Sequence, residues 1–263
     1  MHTAAFRALE LDFVYVPFNV RPEDLEVAVR SIPALGFVGM NVTIPHKEQV
    51  IGCLDWVSED ALRIRSVNTL HNLDGELRGY STDGPGFIGA LEAAGKSPAG
   101  AKTVLLGAGG SARATVYALA VSGALVTVAN RTLERADALA RLVNTALGRD
   151  AVKVVGLETQ EARDAVREAD LLVNCTSVGM YPNTDAQPIP TEWLHPGLFV
   201  YDQIYNPWET KLLKAARALG ARGANGAGML VRQGAISFEI WTGRPAPIEV
   251  MEHAVAAAVN HIG

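Results

Sequence analysis

Three groups of residues in this chain carry the types and spacing that chemistry needs. Asn41-Val42-Thr43-Ile44-Pro45-His46-Lys47-Glu48 sets a lysine just beyond an apolar strand, at the start of a short helix that Pro45 opens. The dipole of such a helix opposes the ammonium charge and eases release of its proton. Ser81-Thr82-Asp83-Gly84 sets a carboxylate in a turn. A lysine paired with an aspartate can pass a proton between a substrate hydroxyl and water. Two solvated surface charges fit the same residues, because distance along the chain says nothing about proximity.

The third group is a glycine loop. Lys102–Leu106 is a short apolar strand that runs directly into Gly107-Ala108-Gly109-Gly110-Ser111-Ala112. This fits G-x-G-x-x-G/A, with Ala112 as the small third residue and a helix following. Its first glycine allows the tight turn, its second lets the backbone approach a pyrophosphate, and the helix N-terminus faces the anion. The next strand ends in Asn130-Arg131-Thr132, with Arg135 a turn further on. Sites for NAD place an acidic residue there to hold the ribose 2′-hydroxyl, whereas guanidinium groups suit a 2′-phosphate. The residues favour NADP; the alternative is a helix cap at Thr132 beside solvated arginines. A lysine, an aspartate and a dinucleotide loop together imply proton transfer coupled to hydride transfer.

The elements that must position these groups follow from periodicity. The first part has a helical stretch over residues 1–9 and strand-like runs at 13–18 and 37–43. Helices are expected over 22–33 and 45–54, and 67–73 and 77–80 flank the hairpin signal Asp74-Gly75. A helix over 85–94 leads to Gly95-Lys96-Ser97-Pro98-Ala99-Gly100, the best candidate boundary. Strands are then expected at 102–106, 124–129, 151–155, 170–174 and 198–202, with helices between, the clearest at 110–122, 132–147 and 209–219. This alternation implies an α/β doubly wound parallel sheet. Helices over 229–241 and 247–260 finish the chain. The division expected is 1–96 plus 229–263 against 97–228.

With 263 residues the chain can bury one large core or two ordinary ones. A formal charge of −5 without a basic run argues against nucleic acid or an anionic membrane as partner. Cys53 and Cys175 lie far apart, with no neighbouring Cys or His, so neither a disulfide framework nor a metal site is expected. Both fit small buried apolar positions. No secretory leader and no apolar run long enough to span a membrane is present, which predicts a cytoplasmic protein with a small-molecule substrate. Further polar residues sit where elements end. Asn68 lies in an apolar strand and needs a partner if buried, Gln233 lies on the apolar helix 229–241, and Tyr205 follows strand 198–202. Asn174-Cys175-Thr176-Ser177-Val178-Gly179-Met180 follows a strand at the end where open α/β sheets bind ligands.

In order along the chain, these motifs resemble those of the shikimate dehydrogenases. The matching stretches are Asn41–Lys47, Ser66-Val67-Asn68-Thr69, Thr82-Asp83-Gly84, Gly107–Gly110, Asn130-Arg131-Thr132, Asn174–Met180, Asp202-Gln203-Ile204-Tyr205-Asn206-Pro207 and Gly228–Gln233. The resemblance implies an α/β substrate-binding unit, a Rossmann-like NADP-binding unit, and C-terminal helices that return to the first. It implies an oxidoreductase that reduces 3-dehydroshikimate reversibly with NADPH, in chorismate and aromatic amino acid biosynthesis. Carried over by position, Lys47 and Asp83 are the catalytic pair. Thr43, Asn68 and Gln233 bind ring hydroxyls, with Tyr205 near the carboxylate. Met180 and Met229 lie by the nicotinamide, and Thr176 and Gly226 join residues 107–112, 130–132 and Arg135 around the cofactor. No metal is implied, and a monomer or homodimer fits. A quinate-active relative, and a cofactor-binding relative with impaired turnover, are the alternatives.

Two departures stand out. Ser81 replaces the usual asparagine before Thr82-Asp83, keeping a hydrogen-bonding group with less reach. The chain also starts at Met1-His2-Thr3-Ala4-Ala5-Phe6, which matches the end of a family segment whose two serines hold the substrate carboxylate. Roughly twenty residues, a strand and both serines of the family pattern are then absent, which predicts an unpaired sheet edge and weaker substrate binding.

Overall fold

The computed structural model describes residues 1–260 and shows two sheets joined by long helices. The first sheet has four strands, in the spatial order β1 (Gly39–Asn41), β3 (Thr69–Leu73), β4 (Glu76–Tyr80) and β2 (Trp56–Val57). Strands β3 and β4 pair antiparallel through Asp74 and Gly75, both at positive φ (50° and 96°), as a tight hairpin turn of matching twist requires. Helices α1 (His2–Ala8), α2 (Leu25–Arg30) and α3 (Glu59–Ile64) belong to this half. Leu25, Val29, Ile32, Val50 and Leu70 form its core.

The second sheet is parallel throughout. Its strands are β5 (Lys102–Leu106), β6 (Leu125–Asn130), β7 (Val152–Gly156), β8 (Leu171–Asn174), β9 (Phe199–Asp202) and β10 (Arg222–Ala224). Their order is β10-β9-β8-β5-β6-β7, with α5 (Gly110–Val121), α6 (Leu133–Leu147), α7 (Gln160–Arg167) and α8 (Lys211–Ala218) between them. The strands read as continuous apolar runs because both faces are covered. Leu105 and Val173 face one core with Val116, while Val104, Leu106 and Leu172 face the other with Leu212. The order reverses between β5 and β8, so the crevice beyond their carboxyl ends is the expected ligand site.

Three further helices complete the fold: α4 (Asp83–Ala93), α9 (Ala227–Thr242) and α10 (Ile248–Asn260). Helices α4 and α9 touch at Gly86, where an added Cβ would lie 2.6 Å from the Gln233 backbone nitrogen. Helix α9 starts beyond β10 and ends on the first sheet, where Trp241 Nε1 donates to the Leu70 carbonyl at 2.7 Å. Helix α10 packs on α9 and α1 through Met251, Val255, Phe6 and Phe238. The return of the C-terminal helices to the first half, read from the resemblance, is what the structure shows; residues 261–263 lie outside the described part.

Several local expectations fail. Phe13–Phe18 forms no strand: the run has strand residue types but no ladder partner, and Val14 is 83% exposed. Residues 45–54 form no α-helix either. Turns run from Ile44 to Glu48 and a short 3-10 helix covers Gln49–Cys53, a stretch with β-branched Val50 and Ile51 and with Gly52, all poor helix formers. Asp83 lies in the first turn of α4 rather than in a free turn. Strand β2, helix α3 and strand β10 were not foreseen, being only 2, 6 and 3 residues long. Both cysteines are half-buried rather than fully buried.

Candidate active site

Lys47 and Asp83 meet. The Lys47 Nζ donates to Asp83 Oδ2 at 2.5 Å, with the two side chains 19% and 9% exposed. Each is held by backbone. The Lys47 carbonyl accepts the Val67 N–H at 2.8 Å, which fastens the turn to the segment entering β3. Asp83 opens α4, where the helix dipole favours a negative charge. Lys47 itself precedes a short 3-10 stretch, so the opposing helix dipole expected of it is lost, and the carboxylate is its partner instead.

Asn68 completes the group. Its Nδ2 faces Asp83 Oδ1 at 3.1 Å, Gln233 Oε1 at 3.2 Å and the Thr82 hydroxyl at 2.8 Å, while its Oδ1 accepts the Thr82 N–H at 2.7 Å. The buried amide therefore has the partners that burial demands. Beneath it the Thr69 hydroxyl lies 2.8 Å from Ser237, which also accepts from Asn41 Nδ2 at 3.0 Å. Asn41, Thr69 and Ser237 had no role in the sequence reading; they meet across 196 residues of chain, a separation no local pattern bridges.

One cavity of about 870 Å³ gathers these groups. Thr43, Lys47, Asn68 and Asp83 line it from the first half, Ser111, Thr176, Met180 and Tyr205 from the parallel-sheet half, and Gly226, Met229 and Gln233 from α9 and its N-cap. The carboxyl-end loops of the parallel sheet are set by a buried network: Asn174 Oδ1 accepts from the Thr176 hydroxyl at 2.7 Å, and Asn174 Nδ2 donates to Asp202 at 2.9 Å. Burial pushes the Asp202 carboxyl up, opposed by bonds from Thr210, the Ile204 N–H and Asn174. Burial likewise raises the Cys175 thiol, which makes it a poor nucleophile. At the far end His2 is 2% exposed, stacked on Tyr15 at 4.5 Å, with neither ring nitrogen hydrogen-bonded. Burial and the nearby terminal ammonium lower its pKa to about 4.

A second cavity, of about 460 Å³, takes Ala108, Gly109, Gly110 and Arg135, and Ile44 and Lys47 line both cavities. Gly107 has φ of 102° and approaches Thr176, where an added Cβ would lie 2.9 Å from its methyl group. Ala112 is fully buried behind the loop, as close helix–strand packing requires. Asn130, Arg131 and Thr132 line neither cavity; they end β6 and begin α6, with Arg131 and Thr132 exposed. Thr132 occupies the N-cap of α6, as the helix-cap alternative expects, although its side chain makes no capping bond. Arg131 and Arg135 form no ion pair among the described residues.

This layout can be set beside known proteins. Residues 1–70 match the model described as shikimate dehydrogenase substrate binding domain. Residues 90–184 match shikimate / quinate 5-dehydrogenase, and 226–256 match shikimate 5'-dehydrogenase C-terminal domain. A shikimate dehydrogenase (NADP(+)) of Moorella thermoacetica is 48% identical over 261 residues, which cover 99% of this chain and 88% of that protein. The chain belongs to the shikimate dehydrogenase family. Solved structures of the family agree. A shikimate dehydrogenase in complex with NADP+ aligns with a TM-score of 0.93 at 42% identity, covering 98% of this chain and 89% of that one. A shikimate 5-dehydrogenase of Thermus thermophilus, in complex with NADP(H) and shikimate, aligns with a TM-score of 0.88 at 37% identity, covering 98% and 92%.

Proposed function

We propose that this chain is an NADP-dependent shikimate dehydrogenase that interconverts 3-dehydroshikimate and shikimate within chorismate and aromatic amino acid biosynthesis. The observation that carries the reading is the Lys47–Asp83 pair, at 2.5 Å, in a cavity whose opposite wall comes from the carboxyl ends of a doubly wound parallel sheet. The residues at that sheet fit the cofactor. A positive-φ Gly107 gives the backbone a close turn at the switch point, and Arg131 and Arg135, unpaired among the described residues, leave guanidinium groups for a 2′-phosphate. When bound, the nicotinamide supplies the hydride.

The chain's own residues do the rest. Lys47, as an ammonium, donates a proton to the oxygen of the carbonyl as it becomes an alkoxide, and in the reverse direction takes it back. Asp83 orients Nζ and stabilises its charge before transfer. Thr43, Asn68 and Gln233 bind the ring hydroxyls and Tyr205 lies toward the carboxylate. Met180 and Met229 provide apolar surface on the cofactor side, next to Thr176 and Gly226. Residues 1–96 with 229–263 act as the substrate unit and 97–228 as the cofactor unit, and alignment of the two reactants between them supplies much of the rate. A cytoplasmic monomer or homodimer acting on a small molecule fits the net charge of −5 and the lack, among the described residues, of a helix long and apolar enough to cross a membrane.

The test is NADPH oxidation with 3-dehydroshikimate. Turnover is expected, and Lys47→Ala should lower kcat by roughly 10²–10⁴. An unchanged rate in that variant would sink the assigned chemistry. Because residues 90–184 match a model that also names quinate, shikimate and quinate are compared with both NADP+ and NAD+; activity with quinate and NAD+ alone would overturn substrate and cofactor together.

A further inference from the structure

The cavity beside the glycine loop contains a cationic group of which the motifs single out only Lys47 and Arg135. Three arginines line it, each from a different place: Arg65 caps the end of α3, Arg113 lies on α5 and Arg135 on α6. Arg113 is already committed, with Nη1 at 2.9 Å from Glu48 Oε2 and donating to the Arg65 carbonyl at 3.3 Å. Arg65 is exposed and has no ion-pair partner among the described residues.

Local structure does not call for arginine at this position. Arg65 is the C-terminal cap of α3 in the left-handed region, with φ 50° and ψ 49°. Glycine suits that conformation, and a residue carrying a Cβ is strained in it. A residue unfavourable for its backbone and without a carboxylate partner faces the cavity that the backbone of Ala108, Gly109 and Gly110 lines. A glycine loop at a helix N-terminus binds phosphate, and a planar guanidinium matches phosphate oxygens two at a time.

We propose that Arg65 binds a phosphate group of the dinucleotide, so that the unit holding Lys47 and Asn68 also grips the cofactor. This rests on the NADP-dependent function above. The mechanical path is short. The Ser66 N–H bonds the Ala61 carbonyl at 3.0 Å, the Val67 N–H bonds the Lys47 carbonyl at 2.8 Å, and Asn68 follows against Asp83. A phosphate held by Arg65 thus draws on the segment that fixes the catalytic pair.

The experiment replaces the side chain while relieving the backbone. Arg65→Gly keeps the left-handed cap, so thermal stability without ligand should hold or rise. Its affinity for NADP+, by calorimetry, should fall ~10- to 100-fold, the loss of a charged hydrogen-bonded contact, while KM for 3-dehydroshikimate at saturating NADPH stays near wild type. A loss with NADP+ and none with NAD+ identifies the 2′-phosphate as the ligand; equal losses with both identify the pyrophosphate. Arg65→Gln, which keeps the stem without the charge, should show the same loss. Wild-type affinity for both cofactors in these variants overturns the proposal alone. A wild-type chain that fails to bind NADP+ overturns the function above and this proposal with it.

Discussion

At the scale of single residues, the decisive contact is an ion pair largely removed from water. Lys47 and Asp83 are 36 positions apart, and their types were legible in the sequence while their meeting was not. Spacing gave no reason to prefer contact over two solvated charges; the family resemblance did, and the geometry brings them together. Removing one partner of such a pair leaves a charge without its counter-ion, a cost of about 3–5 kcal/mol when fully buried and less here, where the lysine side chain keeps 19% exposure. His2 gives a second residue-scale effect. Its pKa is depressed from 6.5 to about 4, so the folded state binds fewer protons than the unfolded state between those values. Its contribution is fully present above pH 6.5 and is lost as pH falls toward 4, a loss of order 3 kcal/mol. Melting temperature should therefore fall across that window, and His2→Asn should flatten the fall. An unchanged slope would mean that other groups set the acid limb.

At the scale of elements, regular βα units were read within a residue or two, because a parallel sheet covered on both faces writes apolar runs at regular spacing. The failures have physical causes. Phe13–Phe18 carries strand residue types, but a strand exists only against a partner, and none pairs with it in the described structure. Pro45 resembled a helix start, yet Val50, Ile51 and Gly52 do not sustain one. Strand β10 is Arg-Gly-Ala, which has no pattern to read. Arg65 was invisible because its meaning depends on which cavity the end of α3 faces. The contact of α4 with α9 carries a clear prediction. Gly86→Ala would place a Cβ 2.6–2.8 Å from the Gln233 backbone, with nothing flexible to yield. Overpacking of that kind costs about 1–3 kcal/mol. Chemical denaturation should show the loss, and KM for the substrate should rise as Gln233 moves. Wild-type stability would show that the helices part without cost.

At the scale of the whole molecule, cofactor binding should stabilise the fold by mass action. NADP+ at a hundredfold excess over its Kd adds about 2.7 kcal/mol, provided the unfolded chain does not bind it. Scanning calorimetry should show a clear rise in melting temperature, larger with NADP+ than with NAD+. Equal shifts would contradict the role given to Arg131 and Arg135. Helix α4 joins the parallel-sheet core through Phe87 and Leu91 and packs on α9, which is pinned to β3 at Trp241, so the molecule should unfold in one transition rather than two.

Helix α9 has one more effect. Met229, which lines the cavity, and Gln233, against Asn68, are four residues apart on the same helix, one turn and about 5–6 Å from each other at Cβ. The helix is pinned at its far end by Trp241 on Leu70. Because both side chains leave one helix, the spacing of their Cβ atoms is set by the helix itself and not by how the two sheets pack.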